Sequence, residues 1–114
     1  MLSKTLLEAI LAFRRDRDWE QFHSARNLAA ALSVEAAELL ESFIWASDEQ
    51  VQQIVQSRHD EIAAEIADVA ILLTYLAHDL SIDIDAAVRK KIQVNATKYP
   101  VEKSRGSNKK YSDL

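Results

Sequence analysis

Residues 58–80 read R-H-D-E-I-A-A-E-I-A-D-V-A-I-L-L-T-Y-L-A-H-D-L. Ile62, Ile66, Val69, Leu73 and Leu80 recur at intervals that keep them on one face of an α-helix. The run holds neither Gly nor Pro, and the same is true of residues 1–99 as a whole. The single Pro is Pro100 and the single Gly is Gly106. Average usage would place roughly eight Gly and six Pro in a chain of this length. Turns with positive φ ordinarily use Gly, and strand-rich folds need many of them. The composition points to an all-α chain and argues against a sandwich, a barrel or a doubly wound sheet. It also excludes a P-loop or a dinucleotide fingerprint, neither of which can be written without Gly.

The helical period extends outward from this stretch. A first helix is expected over residues 2–17, with Ser3 as cap, the stripe Leu2, Leu6, Ile10 and Phe13, and Arg14, Arg15 and Arg17 set against the negative helix end. A connector over 19–23 leads to a second helix, capped by Ser24, with the stripe Leu28, Leu32, Leu39 and Phe43, ending near Trp45. Asp48 is expected to cap a short helical turn before the helix at 58–80. Asp83 or Asp85 caps a last helix carrying Val88, Ile92, Asn95 and Tyr99, which Pro100 stops. The architecture expected is an antiparallel helical bundle of four main helices over residues 1–99. An irregular, basic tail follows over 100–114. From Lys98 onward there are five basic and two acidic residues, in a chain of net charge −4.

Further function classes fall away. There is no Cys, so disulfides, thiolate zinc sites and cysteine nucleophiles are excluded. The acidic balance argues against a nucleic-acid polymer as partner. No apolar run has the length of a membrane span, and no signal peptide is visible, so a cytoplasmic protein is expected.

The acidic residues are placed against expectation. Glu35 and Glu38 form one i, i+3 pair, and Glu65 and Asp68 another on a different helix. With Leu28 at zero, Glu35 lies about 20° away, inside the apolar stripe, and Glu38 about 60° further round, at its edge. Glu65 and Asp68 lie about 60° and 120° from Ile62. Carboxylates so near an apolar face need partners, yet neither helix interior supplies a Lys or Arg beside them. A hard divalent cation such as Mg²⁺ resolves the repulsion. The plain alternative is a solvated acidic face, which suits Glu41, Asp60 and Glu61. A di-iron bundle would require two E-x-x-H motifs in its core, and only Glu20–His23 has that form, in the connector.

At this point the residues resemble a known family. R-D-W-E-Q-F-H (17–23), R-N-L (26–28), E-A-A-E-L-L-E (35–41) and E-I-A-D-V (65–69) are similar to the all-α nucleoside triphosphate pyrophosphatases, the MazG-like group, and within it to the dCTP pyrophosphatase branch. The resemblance continues through Trp45, Lys91, Asn95 and K-Y-P (98–100). It implies a Mg²⁺-dependent enzyme that splits a nucleoside triphosphate, dCTP or a related dNTP, into monophosphate and pyrophosphate. By position, Glu35, Glu38, Glu65 and Asp68 would hold the metal, and Glu35 or Glu38 would serve as general base. Trp19, His23 and Trp45 would line the pocket for base and sugar. Lys91, Asn95, Lys98 and Tyr99 would contact sugar or phosphates. It also implies a homo-oligomer, either a dimer or a dimer-of-dimers tetramer. Leu72 departs from the pattern, since dCTP-specific relatives tend to carry Tyr there, and Tyr75 lies about 60° further round the helix. Two other functions fit the same composition: a non-catalytic nucleotide- or metal-binding oligomer of this fold, and a structural bundle with solvated acids.

Overall fold

The computed structural model describes residues 1–114 and contains helices and turns but no strand. The helices are α1 (Lys4–Asp16), α2 (Ala25–Glu41), α3 (Asp48–Ser57), α4 (His59–Asp79), α5 (Ile84–Lys98) and α6 (Val101–Ser104), with 3-10 turns at Glu20–Phe22 and Tyr111–Asp113. The chain is all-α, as the periodicity called for. No helix is long and apolar enough to cross a membrane. Two units can be distinguished, residues 2–81 and residues 82–114 together with Met1.

In residues 2–81, α4 is the element on which the others rest. α2 packs chiefly on α4, and α1 and α3 make smaller contacts with it. Leu28 of α2 is the one large apolar side chain that is fully buried. Such burial contributes about 1.5–3 kcal/mol. Ser3 and Ser24 cap α1 and α2 as expected, their hydroxyls accepting the amides of Leu6 and Asn27. Other boundaries differ. The short turn expected after Asp48 is a ten-residue helix, and its N-cap is Ser47, whose amide donates to Gln50 Oε1 at 2.9 Å. Asp48 instead opens the first turn, where its charge suits the positive helix end. α2 stops at Glu41 rather than near Trp45. The Phe43 and Ala46 amides reach carbonyls three residues back, which tightens the chain into turns.

The turns without Gly have a specific solution. Asp18 and Ser81 take φ of 54° and 55°, the left-handed region. At the end of α1 the Asp18 amide donates to the Arg15 carbonyl and the Trp19 amide to that of Arg14. This is a Schellman motif with Asp in the usual Gly place. Its apolar contact is present as well, Trp19 meeting Phe13 edge-on with ring centroids 5.7 Å apart. Asp tolerates this conformation better than most residues, and Ser less so.

In the second unit, Asp83 caps α5 by accepting the Ala86 amide at 3.1 Å. The Met1 amino group lies 2.9 Å from Asp85. Asn95 is exposed, and α5 buries no residue fully. The tail is not simply irregular. α6 forms after Pro100, Gly106 turns the chain at φ 73°, and Tyr111 packs edge-on against Tyr99 at 6.0 Å. Lys98 Nζ sits 4.6 Å from the Tyr111 ring centroid, a cation–π contact that ties the tail to the end of α5.

Ser81→Gly removes the Cβ penalty at a left-handed position, and thermal unfolding should show a gain of about 1 kcal/mol. Ser81→Val should lose stability. A lower midpoint for the glycine variant would contradict the strain assigned to Ser81.

Candidate functional site

Packing α2 on α4 brings together acids that the sequence keeps apart. Glu35 and Glu38 stand one turn apart on α2, and Glu65 comes from α4. One carboxylate oxygen from each lies within 4.8 Å of the others. Neither Glu35 Oε2 nor Glu65 Oε2 is reached by solvent, and neither has a hydrogen-bond partner. The Glu35 carboxyl is pushed up to about 7, first by its hydrogen bond with Glu38, then by burial and by the charges of Glu38, Asp68 and Glu65. Glu65 is also raised, by burial first and then by Glu38 and Asp68. The nearest basic residue in sequence, Arg58, is taken by Glu61 at 2.7 Å. Clustered hard oxygen donors with two orphaned atoms fit a divalent cation. Asp68, expected as a fourth ligand, is not one of the tight three, though its charge acts on both Glu35 and Glu65.

Beside the acids is a cavity of about 460 Å³. Ala9, Ile10 and Phe13 of α1 form one wall, and Ile71, Leu72 and Tyr75 of α4 another. Trp19 and His23 come from the connector, and Glu35 and Asp68 complete the lining. The volume is in the range of small-ligand sites, and the mixture of apolar walls with few polar groups is typical of them. Glu35 and Asp68 thus face the cavity and also belong to the acidic cluster electrostatically. His23 is half-buried, its Nδ1 has no partner, and burial followed by the Arg14 charge lowers its pKa. A neutral imidazole results, with one donor and one acceptor nitrogen.

Trp19 and His23 both line this cavity. Trp45 is not with them: it is 92% exposed and borders a separate groove with Glu41, Ser42 and Gln50. The early end of α2 explains this, because Trp45 lies beyond the helix in the turns that follow. Lys91, Asn95, Lys98 and Tyr99 lie on α5 or at its end, in the second unit. Leu72 lines the cavity, and Tyr75 supplies the aromatic surface one turn on.

Sequence reasoning missed Arg14. Its place at the end of α1 suits the helix dipole, yet it is 5% exposed and forms a two-pronged pair with Asp79, both contacts at 2.8 Å. A signal was present: Arg14 follows Ile10 of the apolar stripe by four residues, and Asp79 follows Tyr75 by four.

The MazG-like family model matches residues 30–114. dCTP pyrophosphatase 1 of Bos taurus is 43% identical over 104 residues, covering 90% of this chain and 62% of that protein. The Homo sapiens protein of the same name is 39% identical, with 90% and 61% covered. The chain thus spans about three fifths of the length of these curated relatives. A crystal structure of a pyrophosphatase from Archaeoglobus fulgidus superposes with a TM-score of 0.83 at 39% identity, covering 85% of this chain and 91% of that one. With three quarters of its length inside the family model and that fold in common, the chain belongs to the MazG-like family.

Proposed function

We propose that this chain is a Mg²⁺-dependent nucleoside triphosphate pyrophosphohydrolase. It converts dCTP, or related and modified dNTPs, to the monophosphate and pyrophosphate, and so cleans the nucleotide pool of a cytoplasmic compartment. The observation that carries this is the junction of two unlike sites: unpaired carboxylates meet an apolar, aromatic-walled cavity, with Glu35 and Asp68 in its lining. A nucleotide has the matching division, an aromatic base at one end and an anionic chain at the other. The names of the relatives point the same way.

Glu35, Glu38, Glu65 and Asp68 would hold the cation. When bound, Mg²⁺ neutralises phosphate charge and makes water a better nucleophile. Phe13, Trp19 and Tyr75 offer ring faces and edges to the base and keep water from that end of the site. Neutral His23 offers a hydrogen bond to an edge of the base or to the sugar. A carboxylate of the Glu35–Glu38 pair takes the proton from the attacking water. Pyrophosphate leaves from the α-phosphorus, and no covalent intermediate is required.

The proposal includes assembly of the chain with copies of itself, as a dimer or a dimer of dimers. Residues 2–81 bury only Leu28, Tyr75 and Ala77 among apolar side chains, and Val34, Leu40, Trp45 and Ile66 are exposed. So thin a core within one chain, with large apolar side chains left exposed, supports burial against another copy. Sedimentation should give a mass of at least two chains. A monomer at micromolar concentration would remove this part of the proposal.

Incubation with dCTP and Mg²⁺ should release dCMP and pyrophosphate without orthophosphate. Glu38→Gln and Asp68→Asn should each lower kcat/KM by on the order of 10²–10³ while the protein stays folded. Orthophosphate as product, or full activity in both variants, would overturn the reaction.

The acids also set a pH dependence. The folded-state pKa of Glu35 lies above its ordinary value of 4.5, so the folded protein holds the extra proton between the two. Its contribution to stability is therefore present at low pH and lost as pH rises towards about 7. Without metal, the melting temperature of the unaltered protein should fall relative to Glu35→Gln as pH is raised across this window. Mg²⁺ should restore it, and should act more strongly at the alkaline end. A melting curve that ignores Mg²⁺ would contradict the metal site.

A further inference from the structure

Arg14 is the most deeply buried charged residue of the chain, and the proposed reaction makes no use of it. Its guanidinium is fixed in two directions. Both terminal nitrogens donate to Asp79, at 2.8 Å each, and the guanidinium carbon lies 4.5 Å from the centroid of the Tyr75 ring. Tyr75 is itself held at its tip, where its hydroxyl donates to the Ile10 carbonyl of α1. The ring of His23 rests 5.5 Å from that of Tyr75. The Arg14 carbonyl accepts the Trp19 amide at 3.1 Å. Ile10, Trp19, His23 and Tyr75 all line the cavity, and all are tied to Arg14 directly or through one neighbour.

A buried ion pair is weak evidence for stability, because apolar groups of similar volume often serve as well. A planar fork clamped by a carboxylate and stacked on a ring does supply fixed orientation, which a Lys would not reproduce. The backbone contact between α1 and α4 is small, and the Arg14–Asp79 pair and the Tyr75–Ile10 bond both bridge these two walls of the cavity. Asp79 follows Asp68 by eleven residues, about 16 Å along α4. The clamp is thus remote from the acids and close to the aromatic end of the cavity.

We propose that Arg14, locked by Asp79, is a positioning residue for the cavity: it holds Tyr75 and His23 in register across α1 and α4, and so determines how a nucleobase is seated. This rests on the cavity being the base site of the proposed hydrolase, and it adds a determinant of substrate selection that does not touch the substrate. Its removal acts on seating of the base, not on the carboxylates.

Two measurements separate these ends. Calorimetric binding of dCMP without metal reads the cavity alone, and turnover of dCTP with Mg²⁺ reads the whole site. Arg14→Met and Asp79→Asn should each weaken dCMP binding and raise KM for dCTP by about tenfold, with kcat within about twofold of the unaltered protein. Preference for dCTP over dTTP should shrink in parallel, and Arg14→Lys should restore only part of the loss. The Mg²⁺-induced rise in melting temperature should be unchanged in all three. Tyr75→Phe deletes only the tie to Ile10, and should weaken dCMP binding by a few-fold even where Arg14→Met fails to fold. Unchanged dCMP affinity in the folded variants overturns the clamp, as does a fall in kcat with KM and dCMP binding intact. If the unaltered protein binds dCMP and hydrolyses no triphosphate, the hydrolase reading fails while the clamp stands. If it binds no nucleoside monophosphate, the seating role fails too.

Discussion

Repulsion between carboxylates governs the centre of this molecule. The contact of α2, which carries the buried Leu28, with α4 sets Glu35, Glu38 and Glu65 within 4.8 Å of one another. Apolar burial and charge repulsion are thus coupled in one helix pair, and the apolar term has to win for the fold to form. The consequence is a site that is electrostatically incomplete in the protein alone. Its completion by a cation would relieve repulsion and stabilise the helix pair together, so binding and folding are linked.

The two ends of α4 handle charge in opposite ways. Towards its start, Glu65 and Asp68 stand among like charges. In its last turn, Asp79 is matched by the two-pronged Arg14 pair, and the guanidinium holds its carboxyl below the usual range. The first arrangement asks for a ligand from outside. The second is closed within the protein and keeps the aromatic cavity in shape. The acidic end and the aromatic end of the cavity are therefore supported by separate interactions on one helix.

How much of this was legible depended on whether the information was local. The helices follow from the three-and-four spacing of apolar residues and from the missing Gly and Pro. Glu35 could be singled out because helix angles alone put it inside the stripe of Leu28, Leu32 and Leu39. Arg14 was harder. Its own helix offers the dipole as a sufficient explanation, and its partner, 65 residues away, is a fact of packing. Trp45 was placed in the pocket by the family resemblance, and in this chain it borders a separate groove, since an aromatic after an apolar stripe carries no sign of direction. That direction depends on where α2 ends, which is decided by three-residue hydrogen bonds at Phe43 and Ala46. Asn95 sits by spacing on the stripe of Val88 and Ile92, and all three are exposed, so periodicity on α5 did not announce burial. The use of Asp18 and Ser81 in left-handed turns shows the limit of the glycine argument. It excluded the right folds, yet turns without Gly remain open to residues that accept some strain.

The end of α1 has a kinetic consequence. Trp19 is both the residue that closes the Schellman turn and part of the cavity wall. Unwinding the last turn of α1 would release the Trp19 amide from the Arg14 carbonyl and free the Phe13–Trp19 contact in the same event. Fraying of a helix end and opening of the cavity are then a single local transition. Helix termini open at far lower free energy than the fold as a whole. The residence time of anything held against Trp19 would be set by that terminus, well before the bundle itself gives way.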